Sequence, residues 1–185
     1  MRQPAKGWAG HCLHFWDLDK FYDSIDVSFL ANELIRMQWP ARQGAIALRV
    51  HQAARFLLMQ DGSASHTIQP NCSILAGCVF SNSLARVMLH SLLQEAHAAY
   101  PIVQLREFVD DVPQSTRGTA SEVAINTCQA AIIVARGFQL RKLTHSADKS
   151  LLLCSRPALG RKIARILATH GVEVGIRRQA NGPWS

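Results

Sequence analysis

The chain has 185 residues, of which 48% are hydrophobic and 18% are charged. These proportions exclude a disordered or low-complexity protein and indicate one folded domain over residues 1–185. The net charge is +7, and it is unevenly placed: residues 1–111 carry nine Lys and Arg against ten Asp and Glu, whereas residues 112–185 carry eleven against three. A basic balance of this kind is compatible with a polyanionic partner such as nucleic acid.

Cysteine usage and hydropathy bear on where the protein acts. The five cysteines are an odd number, and no two have the spacing Cys-x-x-Cys. This pattern argues against a disulfide framework and predicts reduced thiols in an intracellular protein. No signal-peptide core is present near the start, and no apolar run approaches the roughly 18 residues of a membrane span, so we expect no membrane segment.

In the first half of the chain, alternating apolar residues over 12–18 predict a strand that runs into Asp17. Helical spacing predicts a helix over 27–37, ended by Pro40, and a second helix over 42–59 before the turn at Asp61 and Gly62. The Ser-, Asn- and Gly-rich stretch that follows, residues 63–79, is typical of a loop.

The second half begins with a predicted amphipathic helix over 82–98, followed by a short strand and tight turn over 105–111. We expect a helix over 121–136 with Gly137 at its C-cap, because glycine favours that position. The remaining predicted elements are a strand over 151–154, a helix over 161–169 and a loose tail over 176–185. Strands and helices interleave without a βαβ rhythm, which predicts the α+β class with a small antiparallel sheet packed against helices.

Two acidic clusters follow predicted strands. Residues 17–26 read DLDKFYDSID, and residues 108–112 read FVDDV. Carboxylates held close together repel one another unless a cation offsets the charge. Divalent cations such as Mg²⁺ take one or two carboxylates together with substrate phosphates, which is the arrangement of two-metal phosphoryl transfer. An acidic pair alone also occurs at solvated surface turns, and the second cluster is what favours a metal site.

These motifs resemble those of reverse transcriptases, particularly from retroelements related to group II introns and non-LTR retrotransposons. DLDKFYDSID is similar to their first palm motif, and FVDDV is similar to their catalytic hairpin. Between them, SILAGCVFSNSLARVML resembles the Gly-containing loop and helix, and HSADKSLLL resembles the later lysine motif. The four motifs follow the family order over residues 13–155. The resemblance implies a polymerase palm that extends a DNA primer on an RNA template with dNTPs and two Mg²⁺ ions, for which Mn²⁺ could substitute.

The resemblance also implies roles for single residues. Asp17, Asp110 and Asp111 match the metal ligands, and the carbonyl of Leu18 matches a group that helps to hold the second ion. Lys149 matches the lysine that protonates the departing pyrophosphate. The substrate-contacting positions of the family fall on three further residues: Tyr22 as the gate that excludes a 2′-hydroxyl, and Gly77 and Ser81 in the loop that approaches template and nucleotide.

Taken singly, the residues at these positions have plainer interpretations. Tyr22 could cap the core, Gly77 could serve a turn, and Lys149 could be a solvated surface lysine.

The sequence departs from the family pattern at several places. Ala76 stands where the family has a Gln that contacts the nucleotide, and Pro113 removes a strand N–H just after the hairpin. With 16 residues before Asp17 and few after 170, we expect a palm without fingers or thumb. These departures keep open the alternative of an inactive retroelement remnant that binds nucleic acid through its basic residues.

Two other functional hypotheses, a nucleotide cyclase and a zinc site, have little support in the sequence. A nucleotide cyclase lacks its glycine-rich turn here. The residues His11, Cys12 and His14 are of zinc-binding types, but no distant Cys/His pair completes a tetrahedral set.

Overall fold

A computed structural model of the chain describes residues 10–177. Five strands form one sheet in the order β2-β3-β1-β4-β5. The strands are β1 (Gly10–Asp17), β2 (Val103–Leu105), β3 (Asp111–Gly118), β4 (Leu151–Cys154) and β5 (Gly175–Arg177). Neighbouring strands are antiparallel except β4 and β5, which are parallel. The predicted α+β class with a small sheet is therefore confirmed, and the parallel edge strand is an addition to it.

Six helices are present within residues 10–177. They are α1 (Phe21–Ser24), α2 (Val27–Arg36), α3 (Ala41–Gln52), α4 (Ser81–Ala99), α5 (Ala120–Leu140) and α6 (Pro157–Thr169). The predicted strand before Asp17 and the helices over 27–37 and 82–98 are confirmed within one or two residues. Helix α5 is long and apolar enough to cross a membrane, but it lies against α4, α6 and the sheet, and most of its apolar window is buried there.

Alternation along the strands separates a core face from a more open face of the sheet. On β1 the buried positions are Gly10, Cys12, His14 and Trp16, while the residues between them are only half-buried. Helices α5 and α6 lie against this sheet. Trp16, fully buried, packs edge-on against Phe138 of α5 with ring centroids 5.5 Å apart. Asp17 consequently lies on the open face, opposite the core.

The core face of β3 is polar, yet its groups are hydrogen-bonded. Gln114 Nε2 donates to the Thr127 carbonyl at 2.8 Å, and Thr127 Oγ1 donates to Thr116 Oγ1 at 3.0 Å. The Trp16 indole donates to Gln114 Oε1 at 3.4 Å. Buried polar groups are tolerated when they are paired in this way. The polar residues of β3 therefore tie this strand to α5.

Pro113 lies inside β3, paired in register with Phe15. The Arg106 N–H donates to the Pro113 carbonyl at 3.1 Å, so the backbone of Pro113 faces β2 rather than β1. In an antiparallel ladder the N–H and C=O of one residue point to the same neighbour. The missing N–H of Pro113 therefore costs no hydrogen bond to β1; the ladder bond that it removes, as the sequence predicts, is the one back to Arg106 on the side of β2.

Three predicted boundaries are wrong. Helix α3 ends at Gln52, not at residue 59, because the next residue is extended and residues 55–68 pair with one another through Arg55–Ile68 and Leu58–Ala64 bridges. The short strand predicted within 105–111 lies earlier, as β2, and the tight turn that follows it falls at residues 109–110, directly before β3. Helix α6 begins four residues earlier than predicted, with Pro157 in its first turn.

Two further predictions concern the ends of α5 and of the chain. Gly137 is not a C-cap, because α5 continues to Leu140 and Gly137 faces Leu92 of α4. Of the predicted tail, Ile176 and Arg177 belong to β5. Residues 178–185 lie outside the described part of the chain.

Candidate active site

The site begins with two aspartates on neighbouring strands. β1 and β3 are antiparallel, and Asp17 and Asp111 are direct Cα partners at the end of the ladder. Directly paired residues project to the same face of the sheet and interact closely. Two carboxylates opposite each other destabilise a sheet, so this pairing carries a cost that a bound cation would offset.

A tight hairpin turn brings the third carboxylate, Asp110, to the same strand end. The Phe108 N–H donates to the Asp111 carbonyl at 2.9 Å, and the Asp111 N–H donates to the Phe108 carbonyl at 3.0 Å. Val109 and Asp110 are the two residues between these bonds. Val109 has a φ of 62°, a left-handed conformation that is strained for a β-branched residue. Such strain is typical of sites where function fixes the backbone.

The electrostatics of the strand end are those of crowded acids. The pKa of Asp111 is raised above its ordinary value, first by desolvation and then by the charges of Asp110 and Asp17. Tyr22 also has a raised pKa, through burial and then through the charge of Asp110. These effects place Tyr22, Asp17, Asp110 and Asp111 within electrostatic reach of one another.

Asp17 is held through its backbone while one carboxylate oxygen is unsatisfied. Its N–H donates to Ser150 Oγ at 3.1 Å, and its carbonyl accepts from the Ser146 N–H at 2.8 Å. Lys149 Nζ lies 3.5 Å from Asp17 Oδ2. That oxygen is buried yet accepts no hydrogen bond from the described residues. The structure thus brings together Lys149 and Asp17, the predicted lysine and the first predicted metal ligand, and Asp17 Oδ2 can still accept a hydrogen bond or a cation.

Leu18 extends this strand end. Its side chain is buried, with 5% of its surface exposed, and its backbone bridges His145. The hydrogen bonds beside the bridge use the carbonyl of Asp17 and the N–H of Asp19. The Leu18 carbonyl, which the resemblance assigns to a metal, therefore takes no part in the hydrogen bonds of this bridge.

The Gly-containing loop docks against Tyr22. The Ile74 N–H donates to the Tyr22 carbonyl at 2.9 Å, and the Tyr22 hydroxyl donates to Asn82 Oδ1 at 3.0 Å. Gly77 has a φ of 82°, and a Cβ there would meet open space, so glycine serves the left-handed backbone rather than a close contact. Ser81 is buried and donates to the Leu75 carbonyl, which gives it a loop-supporting contact.

Sequence reasoning missed Asn82, Ser150 and Glu107. The first two adjoin the predicted positions 81 and 149, so proximity to the motifs was the available signal. Glu107 belongs to the turn before Asp110, and burial raises its pKa to about 7 against the opposing charge of Arg86. Nothing in the sequence marks that burial.

The metal-binding capacity of the chain by itself is limited. Within residues 10–177 no group of three or more His, Cys, Asp or Glu side chains is arranged to hold a metal ion unaided. Mg²⁺ commonly takes one or two carboxylates and completes its shell with water and substrate phosphates. The unsatisfied oxygen of Asp17 and the mutual repulsion at Asp111 fit such a partial protein shell. His11 and His14 lie on opposite faces of β1, as expected from alternation, which speaks against a zinc set there.

Neither a protein-family model nor a curated protein matches the chain. Two structures of telomerase from Candida tropicalis are similar to it. The apo enzyme, truncated from its C-terminal domain, matches with a TM-score of 0.60 and 12% identity over 80% of this chain and 31% of its own. The enzyme in complex with the TWJ fragment of telomeric RNA matches with a TM-score of 0.61 and 9% identity over 84% of this chain and 27% of its own.

The chain has a reverse-transcriptase-like fold. At these identities the likeness concerns the fold alone, and the chain spans less than a third of the length of either telomerase chain. The fold nevertheless agrees with the motif order found in the sequence, because the acidic motifs meet at one strand end.

Proposed function

We propose that the chain is the palm of a retroelement-type RNA-directed DNA polymerase and that it joins dNTPs to a primer 3′-OH by two-metal nucleotidyl transfer. The observation that carries the proposal is the register pairing of Asp17 with Asp111, with Asp110 in the adjoining turn. A solvated acidic turn would not explain why residues 93 or more positions apart pair their carboxylates on one open sheet face.

In this proposal Asp17, Asp110 and Asp111 hold two divalent cations, Mg²⁺ or Mn²⁺. When bound, the cations would stabilise the charge that develops on the phosphate oxygens during in-line displacement. The crowded carboxylates provide the negative potential that recruits them. Asp17 Oδ2 accepts no hydrogen bond from the described residues, and its ion-pair partner Lys149 lies 3.5 Å away.

The remaining residues would position substrates. Lys149, whose side chain is 66% exposed, can swing from Asp17 toward a phosphate and donate a proton to the departing pyrophosphate. Tyr22 would lie under the sugar and discriminate against a 2′-hydroxyl, with its hydroxyl fixed by Asn82. Gly77 would let the loop backbone approach the nucleotide. Ala76 offers no side-chain hydrogen bond there, so the proposal assigns nucleotide positioning to backbone groups.

Primer extension tests the proposal. The full chain is given an RNA template, a DNA primer, dNTPs and Mg²⁺, and is compared with Asp17→Asn and Asp110→Asn. We expect each substitution to lower the rate about 100-fold or more, because it removes a charged ligand of the cations that stabilise the transition state. Asp61→Asn is the matched control, since Asp61 is exposed in a turn and caps only Ser63. Equal extension by the wild type and Asp110→Asn contradicts catalysis by this chain.

A second candidate function is binding of nucleic acid without polymerisation. It is favoured by a strip of exposed basic residues on and before α6, formed by Arg156, Arg161, Lys162 and Arg165. Such a strip would contact phosphates and release counterions, which gives a steep dependence of affinity on salt. Binding that is salt-dependent but indifferent to Mg²⁺ and to Asp17→Asn, together with no extension, would support this function over polymerisation.

A further inference from the structure

Two buried cysteines face each other across the sheet at the end remote from the acidic site. Cys12 of β1 and Cys154 of β4 are direct Cα partners, and their Sγ atoms lie 2.7 Å apart. Cys12 is fully buried, while 8% of the Cys154 surface is exposed. This separation is well inside ordinary sulfur–sulfur van der Waals contact, so the two thiols are in direct contact.

The strand geometry at this pair suits a covalent link. The adjoining pair is the hydrogen-bonded one: the Ser155 N–H donates to the His11 carbonyl at 2.8 Å, and the His11 N–H donates to Ser155 Oγ at 3.1 Å. Cys12 and Cys154 therefore form the non-hydrogen-bonded pair, in which Cα atoms are about 4.5 Å apart and side chains are closest. That spacing lies within the range of disulfides, about 4.4–6.8 Å.

We propose that Cys12 and Cys154 form a reversible disulfide across β1 and β4 when the protein meets hydrogen peroxide. The inference is independent of the proposed polymerase function, because it requires neither nucleotide nor nucleic acid. The disulfide would join the strand that ends at Asp17 to the strand that follows Lys149.

The two sulfurs have different roles in the reaction. The hydrogen bond between the two thiols lowers the pKa of Cys154 and raises the pKa of Cys12. Cys154, which is also the more exposed, is therefore the attacking thiolate, and Cys12 is the resolving thiol. A third thiol, Cys128 of α5, is nearby, but burial raises its pKa to about 11 and keeps it protonated.

Disulfide formation proceeds in two steps. The Cys154 thiolate attacks one peroxide oxygen, the O–O bond breaks, and the departing hydroxide takes a proton to become water, leaving a sulfenic acid. The Cys12 sulfur then attacks the Cys154 sulfur, the S–O bond breaks, and the hydroxyl leaves with the Cys12 proton as a second water. The two thiols together lose two protons and two electrons, and the peroxide gains them and is reduced to two waters.

Peptide mapping of the full chain tests the proposal. Reduced protein is treated with hydrogen peroxide, its remaining thiols are alkylated, and it is digested with trypsin. The Lys and Arg positions place Cys12 on peptide 7–20, Cys154 on 150–161, Cys128 on 118–136, and Cys72 with Cys78 on 56–86. We expect a dithiothreitol-sensitive link between 7–20 and 150–161 in the wild type, in Cys72→Ser and in Cys128→Ser, and its loss in Cys12→Ser and Cys154→Ser.

The wild-type map alone decides the matter if a serine variant fails to fold. A link between 118–136 and 150–161, oxidation of Cys154 without a link, or no reaction at Cys154 overturns the proposal. A second measurement is the melting temperature, because a bond between residues 142 positions apart restricts the unfolded chain. The oxidised protein is expected to melt several degrees above the reduced one, and a lower melting temperature would show that the sheet does not accommodate the bond.

Discussion

Replacing Gly137 by alanine tests how closely α4 and α5 pack behind the sheet. A Cβ at residue 137 would lie 2.8 Å from Cγ and Cδ2 of Leu92 and closer still to its Cδ1. Leu92 is fully buried, so its side chain cannot move into solvent. Overpacking of this kind costs about 1–3 kcal/mol. The higher helix propensity of alanine returns about 1 kcal/mol at most. The difference between these two terms is a loss of up to about 2 kcal/mol in the free energy of unfolding of Gly137→Ala.

Equilibrium unfolding in urea measures this change, and two variants serve as controls. A Cβ at Gly44 of α3 would meet only Trp39 Cδ1 at 3.5 Å and Leu34 Cδ1 at 3.8 Å, so Gly44→Ala should be neutral or stabilising by up to about 1 kcal/mol. Leu92→Ala alone should cost about 2–5 kcal/mol. In the double variant the new methyl group occupies part of the vacated space, so the two effects should be less than additive by about 1 kcal/mol. Strict additivity, or equal stabilities of the two glycine variants, would refute the packing argument.

Three further predictions concern the site and its supports. Asn82→Ala should lower the discrimination between dNTPs and rNTPs by about 2–10-fold, since the Tyr22 hydroxyl loses its acceptor; an unchanged ratio of kcat/KM values would argue against a positioning role. Because the pKa of Glu107 is raised from 4.5 to about 7, the folded state holds a proton that the unfolded state releases, and stability should fall as pH rises between these values. In Glu107→Gln this loss should be smaller by about 1–3 kcal/mol, and parallel stability curves from pH 4.5 to 7.5 would contradict the assignment. Asp26→Ala should lower the free energy of unfolding by about 1 kcal/mol, because the Asp26 side chain accepts hydrogen bonds from the N–H groups of residues 28 and 29 at the start of α2. Lys142→Ala, which removes the exposed ion-pair partner of Asp26, should lower the stability by less than Asp26→Ala does. Thermal unfolding that shows equal losses of stability in the two variants would contradict the capping role of Asp26.

The sequence predicted the elements whose apolar periodicity is strong. β1 alternates between core and open face along its whole length, and α4 repeats buried residues at helical spacing. The sequence predicted less accurately where an element ends when that end depends on contacts with residues far away in the chain. Residues 53–59 continue the helical pattern of the sequence, but in the structure they pair with residues 63–68. Gly137 resembles a helix end in the sequence, but it lies inside α5, where Leu92 fills the space that a side chain at residue 137 would need.

The candidate site divides in the same way. The meeting of the two acidic motifs on neighbouring strands could be predicted, because each motif follows a predicted apolar strand. That Asp111, and not Asp110, is the direct partner of Asp17 is seen only in the strand register. The contact between Tyr22 and Asn82 and the burial of Glu107 depend on how the loop, α4 and the hairpin turn pack together. Periodicity along one segment carries no information about such packing.

Pro113 has a consequence for the shape of the acidic turn. Arg106 donates one hydrogen bond to the Pro113 carbonyl, but proline has no hydrogen to return, so this rung of the β2–β3 hairpin is held by a single bond. The next bonded pair, Phe108 with Asp111, makes both of its hydrogen bonds and closes the turn. The acidic tip is therefore anchored to the hairpin mainly through that last pair, and Val109 takes its left-handed conformation just beyond it.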